Sequence, residues 1–141
     1  MSRVLVVDDE ENQAKVLSMG LRLEGFDVVS AVDADGATRH LEGGAVDVAI
    51  IDLMMPGTNG IELARQIRAR YPATRVILMS AYHLSLRQLE RAECGAVGFV
   101  PKPYMLDDLV TFVRAKLASG PASVRVLETV QPPNRAPRTL S

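Results

Sequence analysis

A doubly wound α/β fold, with a parallel sheet between two layers of helices, is what this sequence predicts. Three observations carry that expectation. Short apolar runs rich in Val and Ile alternate with segments of helical period along most of the chain. Those runs are continuous, not alternating, as expected of strands buried on both faces. Gly or Pro punctuates most of the changeovers. Five strand-helix units fit into about 118 residues, an arrangement that right-handed crossovers convert into one parallel sheet.

The first strand is Val4 to Val7, and a helix follows from about Glu10 to Glu24 with acidic residues in its first turn, where the macrodipole favours them. Gly25 stops that helix as a left-handed cap. Asp27 to Ala31 is a weaker second strand, and Asp33 opens a helix running to Glu42 before Gly43-Gly44. Val46 to Ile51 is the third and most apolar strand, directly before Asp52. Pro56, Gly57 and Gly60 mark a loop, after which Leu63, Ala64, Ile67 and Tyr71 recur at helical spacing until Pro72. Arg75 to Met79 is strand four, Leu84 to Glu93 a helix ending at Gly95, and Gly98 to Val100 strand five. The last helix starts near Leu106, where Leu106, Leu109, Val110, Val113 and Leu117 make one apolar stripe.

From Ser119 the character changes. Gly120, Pro121, Pro132, Pro133 and Pro137 break periodicity and Arg125, Arg135 and Arg138 make the segment basic. Residues 1–118 therefore form the expected domain. Residues 119–141 form a linker or disordered tail, with room for a helical turn around Val124 to Val130.

Composition is that of a soluble globular chain, 48% hydrophobic and 23% charged. With 16 basic against 17 acidic residues there is no global pull toward nucleic acid or membrane. No apolar run nears the roughly 20 residues of a membrane span, and the first ends in Asp8-Asp9-Glu10-Glu11, unlike a signal peptide. A cytoplasmic location is the default expectation. The single Cys94 excludes an internal disulfide framework and reads as a small buried hydrophobe.

Chemistry in such a sheet gathers at the carboxyl ends of the strands, where strand order reverses. There the sequence places Asp8 and Asp9 after strand one, Asp52 after strand three, Ser80 after strand four and Lys102 after strand five. Three carboxylates on one rim repel and call for a cation, and an all-oxygen donor set suits Mg2+. With charge neutralised, one carboxylate can attack a phosphoryl group, whose equatorial oxygens Lys102 and the Ser80 hydroxyl would receive. Glu10 and Glu11 read as ordinary residues of a helix N-terminus. Met54 and Met55 read as loop packing, and His40 and His83 as surface histidines.

Four motifs together resemble the bacterial response-regulator receiver domains. They are Val6-Val7-Asp8-Asp9-Glu10, Asp52-Leu53-Met54-Met55-Pro56 with Gly60, Met79-Ser80-Ala81, and Phe99-Val100-Pro101-Lys102-Pro103. The likeness covers about residues 3 to 118, in the family's order and intervals. It implies a flavodoxin-like sheet of five strands in the order 2-1-3-4-5 with five helices. It implies that Asp52 accepts a phosphoryl group from a histidine kinase or phosphotransfer protein. Asp9, Asp52 and the Met54 carbonyl would ligate Mg2+ directly and Asp8 through water. Lys102 would pair with Asp52 and then with the phosphate, Ser80 and Phe99 would be the switch pair, and Met54 and Tyr82 would control access. The Lys102-Pro103 bond is expected to be cis.

The resemblance further implies a signalling face made by the fourth helix, fifth strand and fifth helix, which a downstream partner, an output domain or a second copy could use. The chain then reads as a stand-alone receiver or a piece of a larger regulator. It would catalyse its own phosphorylation and slow dephosphorylation without being a metabolic enzyme. A Mg2+-dependent phosphohydrolase would want a second Asp where Met54 stands. A flavin-binding relative would want a Ser/Thr/Gly-rich loop where Asp8 to Asn12 stand. An interaction module with a dead site is opposed by the complete acceptor set.

Overall fold

In a computed structural model, which describes residues 1–82, 84–119 and 128–130, the alternation closes into one parallel sheet flanked by helices. Its elements in chain order are β1 (Arg3–Val7), α1 (Glu11–Leu23), β2 (Asp27–Ala31), α2 (Ala34–Gly43) and β3 (Val48–Asp52). Then come β4 (Met54–Met55), β5 (Thr58–Asn59), α3 (Gly60–Arg70), β6 (Arg75–Ser80), α4 (Leu86–Ala92), β7 (Gly98–Pro101), α5 (Leu106–Ala118) and β8 (Glu128–Thr129).

The main sheet runs β2-β1-β3-β6-β7-β8, with every neighbouring pair parallel. Its first five strands reproduce the expected order. The sixth, β8, corrects the expected strand count, and Glu128–Thr129 are strand where the sequence left room for a helical turn. Val130 just beyond it is buried, so residues 128–130 pack on the domain and are not free linker. Residues 120–127 and 131–141 of the expected tail lie outside the described residues.

Side-chain alternation sorts the core into two layers. Leu5, Val7, Ala49, Ile51, Val76 and Leu78 face α2, α3 and α4. Val4, Val6, Val48, Ile50, Ile77 and Met79 face α1 and α5. Central strands covered on both faces explain why the apolar runs are continuous. Truncating one of the Leu, Ile or Met side chains among them to Ala costs about 2–5 kcal/mol.

Local chemistry sets the boundaries. Ser85 caps α4 in a reciprocal box with Gln88, so the helix starts at Leu86, two residues later than apolar spacing suggests. Asp33 caps α2 and Asn59 caps α3. Between β3 and α3 the expected loop contains a two-residue hairpin, β4 against β5, turned by Pro56-Gly57 with Gly57 at φ 71°.

Gly60 answers a different need. A Cβ there would lie 2.8 Å from both the Asp52 carbonyl oxygen and the Leu53 Cα, so only glycine lets α3 start against the end of β3. No helix among the described residues is long and apolar enough to cross a membrane.

Candidate functional site

The order reverses between β1 and β3, which pair with Val7 beside Ile51. Asp8 follows Val7 and Asp52 ends β3, so the two carboxylates sit side by side at the carboxyl edge. Asp8 is 1% exposed and Asp52 6% exposed, burial that an isolated carboxylate does not tolerate. Their partners are present. Asp8 Oδ1 accepts from the Glu10 N–H at 3.0 Å, and Asp52 Oδ1 accepts from the Met54 N–H at 3.0 Å. The α1 N-terminus has no side-chain cap. Asp8 is turned into the site instead.

Lys102 ties the edge together. It follows β7, the cis Lys102-Pro103 bond turns the chain, and its backbone N–H donates to the Ser80 carbonyl. Its Nζ donates to Asp52 Oδ2 at 2.9 Å, Asp8 Oδ2 at 3.1 Å and Gln13 Oε1 at 2.8 Å. Burial disfavours the Lys102 ammonium, but the bonds to Asp52 and Asp8 outweigh it and hold the pKa above the usual lysine range. Burial raises the Asp8 carboxyl above its ordinary value, against the opposing pull of the Glu10 N–H and Lys102. Tyr104, two residues on, is also raised by burial.

Asp9 is exposed and completes the acidic group. One carboxylate oxygen from each of Asp8, Asp9 and Asp52 falls within 4.8 Å of the others. Ser80 is fully buried, and its Oγ accepts from the Tyr82 N–H at 2.9 Å, which leaves the hydroxyl proton free to donate elsewhere. Met54 and Tyr82 are both exposed beside these strand ends. Phe99 is 4% exposed, packed in the core layer with Leu78, Leu89, Cys94 and Ala96. It therefore points inward.

The sequence placed Asp8, Asp9, Asp52, Ser80 and Lys102 on one rim, and the structure brings them together there. Gln13 is the residue that reading missed. It is an exposed residue of the first turn of α1 that reaches the site only through Lys102, so the sequence offered no signal for it. His83 lies outside the described residues. His40 is half-buried, with Nε2 3.1 Å from the Ser30 carbonyl, so it is less solvated than its sequence context suggested.

Paired buried carboxylates, a bridging lysine and a buried hydroxyl form an acidic site at the strand-order reversal of a doubly wound sheet. The chain belongs to the response regulator receiver domain family, whose model matches residues 4–114. It is 35% identical over 120 residues to the sensory transduction protein RegX3 of Mycobacterium tuberculosis, covering 85% of this chain and 52% of that protein. RegX3 of Mycolicibacterium smegmatis is 36% identical over the same length. The chain thus spans about half the length of the curated relatives it matches.

Among solved structures, a CheY-like receiver domain from Methanospirillum hungatei superposes with a TM-score of 0.77 at 26% identity, over 83% of this chain and 94% of that one. The response regulator TrrA of Thermotoga maritima, solved in complex with Mg(2+)-BeF, superposes with a TM-score of 0.73 at 34% identity, over 83% and 99%. Membership makes the chain a signalling domain of the two-component kind, governed by phosphorylation.

Proposed function

We propose that Asp52 is the phosphoryl acceptor of a two-component switch, charged by a histidine kinase or a phosphotransfer protein in a Mg2+-dependent reaction. The observation that carries this reading is the Lys102 ammonium held between Asp52 and Asp8, with Asp9 in the same acidic group. Three carboxylates face one ammonium, a residual charge of about −2 that a divalent cation fits, and every donor is oxygen. Asp9, Asp52 and the Met54 carbonyl would hold Mg2+ directly and Asp8 through water. When bound, the ion would neutralise charge on the phosphoryl oxygens.

The remaining steps belong to the chain. An Asp52 carboxylate oxygen forms the bond to phosphorus as the bond from phosphorus to the donor's leaving atom breaks. Lys102, already at Asp52, exchanges a carboxylate contact for a phosphoryl oxygen. Ser80 donates its hydroxyl proton to another oxygen. Because Ser80 and Phe99 lie on neighbouring strands, a shift of Ser80 is passed to β7. The output face is then α4, β7 and α5, read by a protein partner, an output domain or a second copy.

Met54 and Tyr82 offer no carboxylate or amide to orient a water, so the aspartyl-phosphate hydrolyses slowly and the chain acts as a timer, not as a metabolic enzyme. Its place is the cytoplasm, without direct contact to nucleic acid or membrane. Mg2+ with beryllofluoride, a phosphoryl mimic, tests the reading. Together they should raise the melting temperature of the wild type and leave Asp52→Asn unmoved. An equal rise in both would remove Asp52 from the role.

A further inference from the structure

We propose that Gln13 is a positioning residue for Lys102, a role that rests on Asp52 being the phosphoryl acceptor. With Asp8 it holds the ammonium in place while the third N–H passes from Asp52 to the incoming phosphoryl group. An ammonium has three N–H donors, and here all of them are used. They go to Asp52 Oδ2 at 2.9 Å, Asp8 Oδ2 at 3.1 Å and Gln13 Oε1 at 2.8 Å. Among these partners Gln13 alone is neutral.

The start of α1 explains why this side chain is free to turn to the site. Glu10 is the N-cap, which makes Gln13 the third helical residue. A glutamine there ordinarily reaches back to the backbone N–H of the cap residue. α4 shows that use, with Gln88 Oε1 accepting from the Ser85 N–H at 2.9 Å. At α1 the equivalent N–H, that of Glu10, is already donated to Asp8 Oδ1 at 3.0 Å. The Gln13 carboxamide is left without a capping bond and meets Lys102 instead. Its backbone is held, because Ala14 and Leu17 on the same helix are buried in the core.

Charge makes the neutral contact the lasting one. Asp8 and Asp52 are the carboxylates on which a Mg2+ ion would draw, and Lys102 is repelled by a divalent cation beside them. The Asp52 contact is also the one exchanged when the phosphoryl group arrives. Gln13 is neither a ligand of the ion nor a partner of the phosphoryl group, so its bond to Lys102 persists through both events. A lysine tail without such contacts samples many rotamers, and two fixed bonds leave its third N–H one direction.

Gln13→Met keeps the length of the side chain and removes the acceptor, and Gln13→Ala repeats the test without a long side chain. Intact-mass time courses with acetyl phosphate over a Mg2+ series read the rate. The limiting rate at saturating Mg2+ should fall about two- to tenfold, the worth of one neutral hydrogen bond, with the half-saturating Mg2+ concentration within about twofold of wild type. The second readout needs no phosphoryl transfer. Nitrogen-edited NMR in cold, mildly acidic buffer follows the exchange of lysine ammonium protons with water, and Lys102→Met identifies the Lys102 signal. In chelator and in Mg2+ alike, those protons should exchange several-fold faster in both Gln13 variants than in the wild type.

A wild-type limiting rate in the variants would overturn the proposal. So would a loss that extra Mg2+ recovers, since Gln13 would then act on the ion, or an unchanged exchange rate at Lys102, since it would then act elsewhere. A wild type that gains no phosphoryl group, or an Asp52→Asn control that gains one equally, marks the failure of the acceptor reading itself, and this proposal falls with it.

Discussion

Replacing Lys102 with Met keeps a long unbranched side chain and removes the ammonium that bridges Asp8 and Asp52. The side chains of Asp8 and Asp52 are 2% and 9% exposed and that of Lys102 15%, so solvent screens the contact little. Deleting one partner of a buried pair costs about 3–5 kcal/mol. Two features place this case at the lower end. Asp9 opens one side of the site to water, and Asp8, already raised by burial, can take up a proton and discharge part of the repulsion. The expected loss is about 3 kcal/mol in metal-free buffer near neutral pH, or about 10 °C in Tm for a chain of this size.

Mg2+ supplies the second arm of that experiment. A ligand that binds only the folded state stabilises by about 2.7 kcal/mol at a hundred times its Kd. With the competing ammonium gone, the freed carboxylates bind the ion more tightly, so the same Mg2+ concentration should raise Tm more in Lys102→Met than in the wild type. Thermal melts with and without chelator measure both arms. A variant melting within about 2 °C of wild type in chelator, or gaining no more from Mg2+, would refute the electrostatic reasoning.

Other substitutions probe the neighbouring parts. Gly60→Ala puts a methyl against the backbone of Asp52 and Leu53, which cannot move aside as a side chain can. It should lower stability by about 1–3 kcal/mol in denaturant titration and slow phosphorylation, because the end of β3 shifts. Asp8→Asn should weaken Mg2+ binding by about tenfold or somewhat more, as for a group acting through water, and Asp9→Asn should weaken it further. A titration giving the reverse order would exchange their roles. Met54→Asn supplies an amide that can orient a water and should shorten the lifetime of the aspartyl-phosphate, followed by intact mass over time. An unchanged or longer lifetime would count against the shielding role of Met54.

The central sheet was legible because its strands are buried on both faces and its apolar runs therefore uninterrupted. Ile50 and Ile51 before Asp52 are the clearest case, one facing each core layer. The rim was legible for the same reason, since a carboxylate closing such a run has no structural use. What escaped notice was short or edge-bound. β8 is two residues long in a proline-rich segment, and it is held by backbone carbonyls of β7 that leave no mark in its own side-chain pattern. The β4–β5 hairpin is too short to show alternation, although Pro56-Gly57 announced its turn. Gln13 was passed over because an exposed glutamine on a helix carries no signal until Lys102 is placed beside it. The start of α4 moved because a capping serine outranks apolar spacing.

Intact-mass measurement after incubation with a small phosphodonor and Mg2+ tests the central claim most directly. The wild type should gain the mass of one phosphoryl group, and Asp52→Asn, folded and otherwise unchanged, should gain none. A wild type that never gains the group, or an Asp52→Asn variant that gains it equally, would contradict Asp52 as the acceptor.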